Sequence, residues 1–176
     1  MKKLTTILFC FSTFIAMAQK DTVPTLKSIL LEQLKTTHTV KDWFVPINIA
    51  IEGLTAEQAN WTDGKGNHSI GQLTAHLIFW NERLLKQFRG QPLPDYGGNN
   101  DETFTSFDKN SWDTTVKKID EVLTQLENEF EKADETKLAK WYSTIAHVGT
   151  HNAYHTGQII YIRKLLGSWD DKKGVK

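Results

Sequence analysis

The segment HNAYHTGQ, residues 151–158, sets His151 and His155 four positions apart, immediately before the apolar run IIYIRKLL. One α-helical turn takes 3.6 residues, so on a helix both imidazoles share a face. Arranged at 100° per residue, Thr144, His147, Val148, His151, His155, Gln158, Ile159, Ile162, Leu165 and Leu166 form one stripe. Its second half is apolar, which turns the stripe toward a core. Two imidazoles placed there need partners, because burying unpaired polar groups costs several kcal/mol. Two readings satisfy that need: hydrogen bonds to carbonyls or water, or a shared divalent cation. Neutral imidazole nitrogen binds Zn or Ni, and an i, i+4 pair can converge on one ion.

A third histidine favours the cation. His76, in LTAHLIFW, lies on the shoulder of another apolar helix face, beside Leu73 and Trp80. His76, His151 and His155 match the three protein ligands that catalytic metals use, with positions left for water or substrate. His147 extends the row to HxxxHxxxH. The outer two of three such residues stand about 12 Å apart along the axis, too far for one ion. His147 therefore reads as a group facing substrate, the best candidate for a general base, or as a cap. His68 reads as a loop residue, and His38 as a seam or surface residue with no identifiable partner. Gln158 could orient a ligand imidazole, and Asn81 and Glu82 are outer acceptors, Glu82 on a solvated face. Gly157, costly inside a helix by about 1 kcal/mol relative to alanine, suggests close approach of another helix or a substrate. Trp80, Tyr154 and Tyr161 are core residues that could line an apolar pocket.

The elements that must position these groups have helical spacing almost throughout. Leu26, Ile29, Leu30, Leu34, Thr37, Val40, Phe44, Ile47 and Ile51 predict one long helix over 24–52, bent near Trp43 by Pro46. Thr55 with Gln58, and Ser69 with Gln72, are capping boxes; the second opens a helix with Ile70, Leu73, Leu77, Trp80, Leu84 and Phe88 inward. Residues 89–110 are too rich in Gly, Pro, Asn and Asp to be regular and would form a lid or rim. Trp112, Val116, Ile119, Leu123, Leu126 and Phe130 mark a third helix. The last spans about 143–166 and stops at Gly167. Four main helices without alternating strands predict an all-α four-helix bundle.

The 176 residues suffice for one domain with a core. Charged residues make up 24% and net charge is zero, so no basic stripe is available to nucleic acid. MKK, then LTTILFCFSTFIA, then Ala16-Met17-Ala18 read as a signal peptide over 1–18, with 19–176 as the mature domain, exported to a periplasm or secreted. The apolar stretch is shorter than the roughly 20 residues of a membrane span. Cleavage removes Cys10, the only cysteine, so a soft-metal site in the mature chain must use His, Asp or Glu. It also removes Lys2 and Lys3, leaving 19 of the 21 basic residues against 21 acidic ones, a net charge of −2.

SIGQLTAHLIFW followed by HNAYHTGQIIYIRK resembles the DinB-like superfamily, from about Leu26 to Leu166. That pattern is a histidine on the second helix after a Ser-x-Gly start, then H-x-x-x-H-x-G-Q on the last. The resemblance implies an up-down-down-up bundle, often a homodimer, holding one divalent metal, zinc or nickel, on His76, His151 and His155. Some members of the family are thiol S-transferases and others are described as metal-dependent hydrolases. Three functions follow for this chain: a hydrolase of an unidentified small-molecule substrate with metal-activated water, a transferase that activates an external thiol, or a non-catalytic metal-binding bundle. No phosphate loop, serine-nucleophile motif or paired-carboxylate signature offers another chemistry.

Overall fold

A computed structural model describes residues 23–104 and 107–174; the signal segment read at 1–18 lies outside them. The helices are α1 (Leu26–His38), α2 (Ile47–Ile51), α3 (Ala56–Asn60), α4 (Ile70–Phe88), α5 (Trp112–Lys132) and α6 (Glu135–Leu165). No strand occurs among the described residues. The long helices α1, α4, α5 and α6 form the bundle, with α1 and α4 each packed against both α5 and α6.

Cross-helix pairs fix the directions. Glu82 meets Lys118 and Arg89 meets Glu129, so α4 and α5 run parallel. Asn81 meets Asn152 and Phe88 meets Trp141, so α4 and α6 run antiparallel. Lys27 reaches Glu131 while His38 reaches Glu127 and Asp120, which sets α1 antiparallel to α5. The topology is up-down-down-up, as the resemblance implies. The parallel α4–α5 pair needs the long 89–111 connection to return the chain.

The core fills from the apolar faces read in the sequence: Leu34, Ile70, Leu77, Ile119, Leu123, Leu126, Phe130, Leu138 and Ile159 are almost wholly buried. Both expected capping boxes form, at Thr55/Gln58 and Ser69/Gln72.

Three expectations change. The predicted 24–52 helix is two helices, and the break comes at Thr39, well before Pro46. In the closing turn of α1 the Thr36 and Thr37 hydroxyls donate to the carbonyls of Gln33 and Leu34. Threonine and β-branched residues also lose rotamer freedom in a helix, so TTHTV ends it. Pro46 disfavours helical backbone at Val45 and instead stands at the N-cap of α2. Next, α6 begins at Glu135 rather than Ser143, because the Asp134 side chain accepts a hydrogen bond from the Lys137 amide at 2.7 Å. Finally, the core face of α6 is rotated from the predicted stripe. Asn152, Thr156 and Arg163 are buried, whereas His147 and Leu165 are exposed.

Arg163 explains part of that rotation. Its guanidinium donates to the carbonyls of Ala50, Glu52 and Ser168, tying α6 to the end of α2 and to the C-terminal segment.

His38 has the partners that sequence reading failed to find. It is buried at the end of α1, with Nδ1 2.7 Å from Glu127 Oε1 and Nε2 3.0 Å from Asp120 Oδ1. A carboxylate on each ring nitrogen calls for two donors, hence an imidazolium. Burial pulls its pKa down, but the two carboxylates outweigh burial and the net shift is upward. A raised folded-state pKa contributes stability that is complete below the unfolded value of about 6.5 and is lost as pH rises through the folded value. His38→Gln should therefore destabilise the protein by about 1–3 kcal/mol at pH 6. Thermal unfolding of both proteins from pH 6 to pH 9 should show the gap narrowing as pH rises. A constant gap would exclude the charged form.

Candidate metal centre

α4 and α6 each turn one face toward a cavity of about 910 Å³. α4 supplies His76, Trp80, Arg83, Leu84 and Gln87, and α6 supplies Thr144, His147, Val148, Thr150, His151, Tyr154 and His155. Their register is set beside the histidines by two buried amides. Asn81 Nδ2 donates to Asn152 Oδ1 at 2.8 Å, and Asn152 Nδ2 donates back to Asn81 Oδ1 at 3.2 Å. Sliding either helix by a turn would leave Asn81 Oδ1 and both polar side-chain atoms of Asn152 without partners, at about 1–3 kcal/mol each, while Asn81 Nδ2 would keep its bond to the Leu77 carbonyl. Asn81 thus positions the helices rather than accepting a bond from a histidine, and Glu82 points away to Lys118.

Within that register His76, His151 and His155 meet. His151 Nε2 lies 3.0 Å from His76 Nε2 and 3.0 Å from His155 Nε2. One nitrogen from each of the three rings falls within 4.8 Å of the others, and no other group of three or more potential ligands forms among the described residues. His76 and His155 are buried and His151 is half-buried.

The outward nitrogens fix the tautomers. His76 Nδ1 lies 2.5 Å from Thr103 Oγ1, whose own hydrogen goes to the Asn100 carbonyl at 2.6 Å. Thr103 must then accept, so His76 carries its proton on Nδ1 and Nε2 is a bare lone pair. His155 Nδ1 lies 2.6 Å from Gln158 Oε1, an acceptor, which bares His155 Nε2 in the same way. His151 Nε2 can offer at most one proton to these two lone pairs. A cation satisfies all three nitrogens at once. Bonds of about 2.0–2.1 Å at ordinary coordination angles separate ligand nitrogens by about 3.0–3.4 Å, close to the 3.0 Å of the two pairs that share His151. The donor set fits a divalent metal and could hold one.

Electrostatics agree. Burial, followed by the neighbouring His155, His151 and His68 rings, pushes the His76 pKa down to about 3. Burial and His155 push His151 down to about 4. Burial also lowers His155, against an opposing hydrogen bond to Gln158. All three are neutral near pH 7, the form in which imidazole ligates.

The loop expected to be a lid or rim is part of the site. Residues Asn100–Phe104 form a 3-10 turn that brings Thr103 to His76 and lays Phe104 flat on it, at 4.0 Å between centroids and 3° between planes. His68, predicted to be a plain loop residue, stacks on the other face of Phe104 at 3.8 Å. Thr103 and Phe104 were not foreseen, since only a chain reversal brings them to His76. The same loop presses Phe107 against Gly71 so closely that a β-carbon there would overlap the ring.

His147 lies at the cavity wall, exposed, its Nδ1 2.7 Å from the Ser143 carbonyl oxygen. That bond places the proton on Nδ1 and leaves Nε2 as a free acceptor. Trp80 and Tyr154 line the cavity and Tyr161 lines a separate groove behind Gln158; the two tyrosines are exposed rather than core residues. Gly157 faces open space, so no close approach among the described residues accounts for it.

A four-helix bundle whose α4 and α6 bring three neutral imidazoles together in the lining of one cavity defines a class: a helical protein with a histidine site that could hold a metal ion. The family model of the DinB superfamily matches residues 47–159, more than half of the chain and inclusive of all three histidines. The chain belongs to the DinB superfamily. No curated protein and no solved structure matches it.

Thr103 and Gln158 act on the site only through His76 and His155. Zinc at a hundredfold excess over its Kd should add about 2.7 kcal/mol of stability, roughly 5–10 °C in Tm for a chain of this size. Thr103→Val and Gln158→Leu should each weaken zinc binding about 10–100-fold, read by competition with a chromophoric chelator. Unchanged affinity in both variants would contradict the tautomer assignment.

Proposed function

We propose that this protein is an exported, metal-dependent hydrolase of a small molecule, with one zinc or nickel ion on His76, His151 and His155. The observation that carries this reading is the pair of lone pairs, fixed by Thr103 and Gln158, facing a third imidazole at the floor of a cavity. Its volume, about 910 Å³, falls in the range of roughly 300–1,000 Å³ that small-molecule sites occupy. Export is supported by the charged, apolar and small-residue order of residues 1–18.

A divalent ion held by His76, His151 and His155 would keep its full charge and would supply Lewis acidity that brings the pKa of water down toward about 7. The protein supplies the rest. His147, one turn before His151, presents Nε2 on the cavity wall, where it can take the proton that attacking water releases. The bond to Ser143 holds that ring in the accepting tautomer. Trp80, Leu84, Phe104 and Val148 bind the apolar part of the substrate and exclude solvent.

The test is a panel of aryl esters, lactones and amides against the zinc-loaded mature protein, with a parallel arm of thiol plus electrophile. Hydrolysis is expected. His151→Ala should abolish it, and His147→Gln should lower kcat about 10²-fold with bound zinc retained. Turnover in the thiol arm alone would replace this reading with a transferase. Hydrolysis undiminished in His151→Ala would overturn it.

A further inference from the structure

The cavity continues beyond the histidines. Because α4 and α6 are antiparallel and in register at Asn81–Asn152, the turn of α4 bearing Arg83 faces the turn of α6 bearing His147. Arg83 follows His76 by seven residues, about 10 Å along the helix axis. It lines the same cavity, and none of the fourteen lining residues is Asp or Glu. No carboxylate lies within ion-pair distance of Arg83 among the described residues.

The guanidinium is positioned but not neutralised. Its Nη1 donates to the Pro94 carbonyl at 3.1 Å, and the group lies over the Tyr96 ring at 5.4 Å. Tyr96 packs in turn on Phe79 and Trp80. These contacts use one of five N–H donors and hold the side chain at the cavity wall. An arginine without a counter-ion in a mostly apolar cavity attracts an anion, and its planar fork suits a carboxylate. Trp80, Leu84, Phe104 and Val148 line the same cavity, a wall for an apolar segment.

We infer that Arg83 is a specificity-determining residue that binds a carboxylate at the far end of this cavity. The ligand class is an amphipathic carboxylate whose apolar body spans the distance from Arg83 to the histidines. This rests on the cavity being the substrate site, as proposed above. On the hydrolytic reading, the scissile group lies at the histidine end and the carboxylate at Arg83.

The test measures binding rather than turnover, so it separates Arg83 from the ion. 4-Phenylbutyrate and its neutral amide, 4-phenylbutanamide, are titrated calorimetrically into the mature protein, with and without zinc. The acid should bind about tenfold tighter than the amide in both states. Arg83→Gln should abolish that preference while the amide's Kd stays within about twofold. Should the Gln variant lose amide binding as well, Arg83→Lys decides, because it keeps the charge and must keep an acid preference. No acid preference in the wild type, a preference present only with zinc, or one that survives in Arg83→Gln would overturn the inference. A protein that binds no zinc yet prefers the acid through Arg83 would sink the metal reading alone.

Discussion

Three imidazole nitrogens face one another in the interior of a helical bundle with too few protons to go round. That is the constraint on which the structure turns. Thr103 and Gln158 each claim a proton on the far side of a ring, which leaves lone pairs pointing inward. Burial keeps the rings from solving the problem by protonation, since a charged imidazole in that setting loses its solvation. A cation bound there would convert an unfavourable cluster into a favourable one. The fold itself brings the three nitrogens together.

The remainder of the bundle keeps these groups in place. The Asn81–Asn152 amides fix the register of α4 against α6, and the apolar faces of α1 and α5 press that pair from behind. The 100–104 turn closes one side with Thr103 and Phe104, and Phe104 fixes the plane of His76 by stacking. Farther off, Arg163 and His38 hold the short segments and α1 by buried charge bonded to carbonyls and carboxylates. The cavity is left open along the α4–α6 seam, where Arg83 and His147 face each other beyond the histidines.

Much of this was legible in the sequence because it is local. The Ser69/Gln72 and Thr55/Gln58 boxes are three-residue signals, and they sit where helices begin. The spacing of His151 and His155 with an apolar continuation places both on one helix face, and His76 on the shoulder of another. What was not legible is non-local or disguised. Thr103 and Phe104 sit in a loop with no periodicity, and they reach His76 only through the chain reversal before α5. His38 finds Asp120 and Glu127 on a helix more than eighty residues away. Asn152 and Arg163 look like surface residues by type, so the sequence pattern turns His147 and Leu165 inward although both are exposed. Asp134 does not stand out as a cap in the sequence because the apolar rhythm of α6 strengthens only later.

The most direct test of the centre is X-ray absorption spectroscopy on the zinc-loaded protein, with the spectrum fitted for the number and distance of imidazole ligands. The account predicts three imidazole nitrogens at about 2.0–2.1 Å, one of them lost in His155→Ala. A first shell with one imidazole or none, or an unaltered spectrum in that variant, would contradict it.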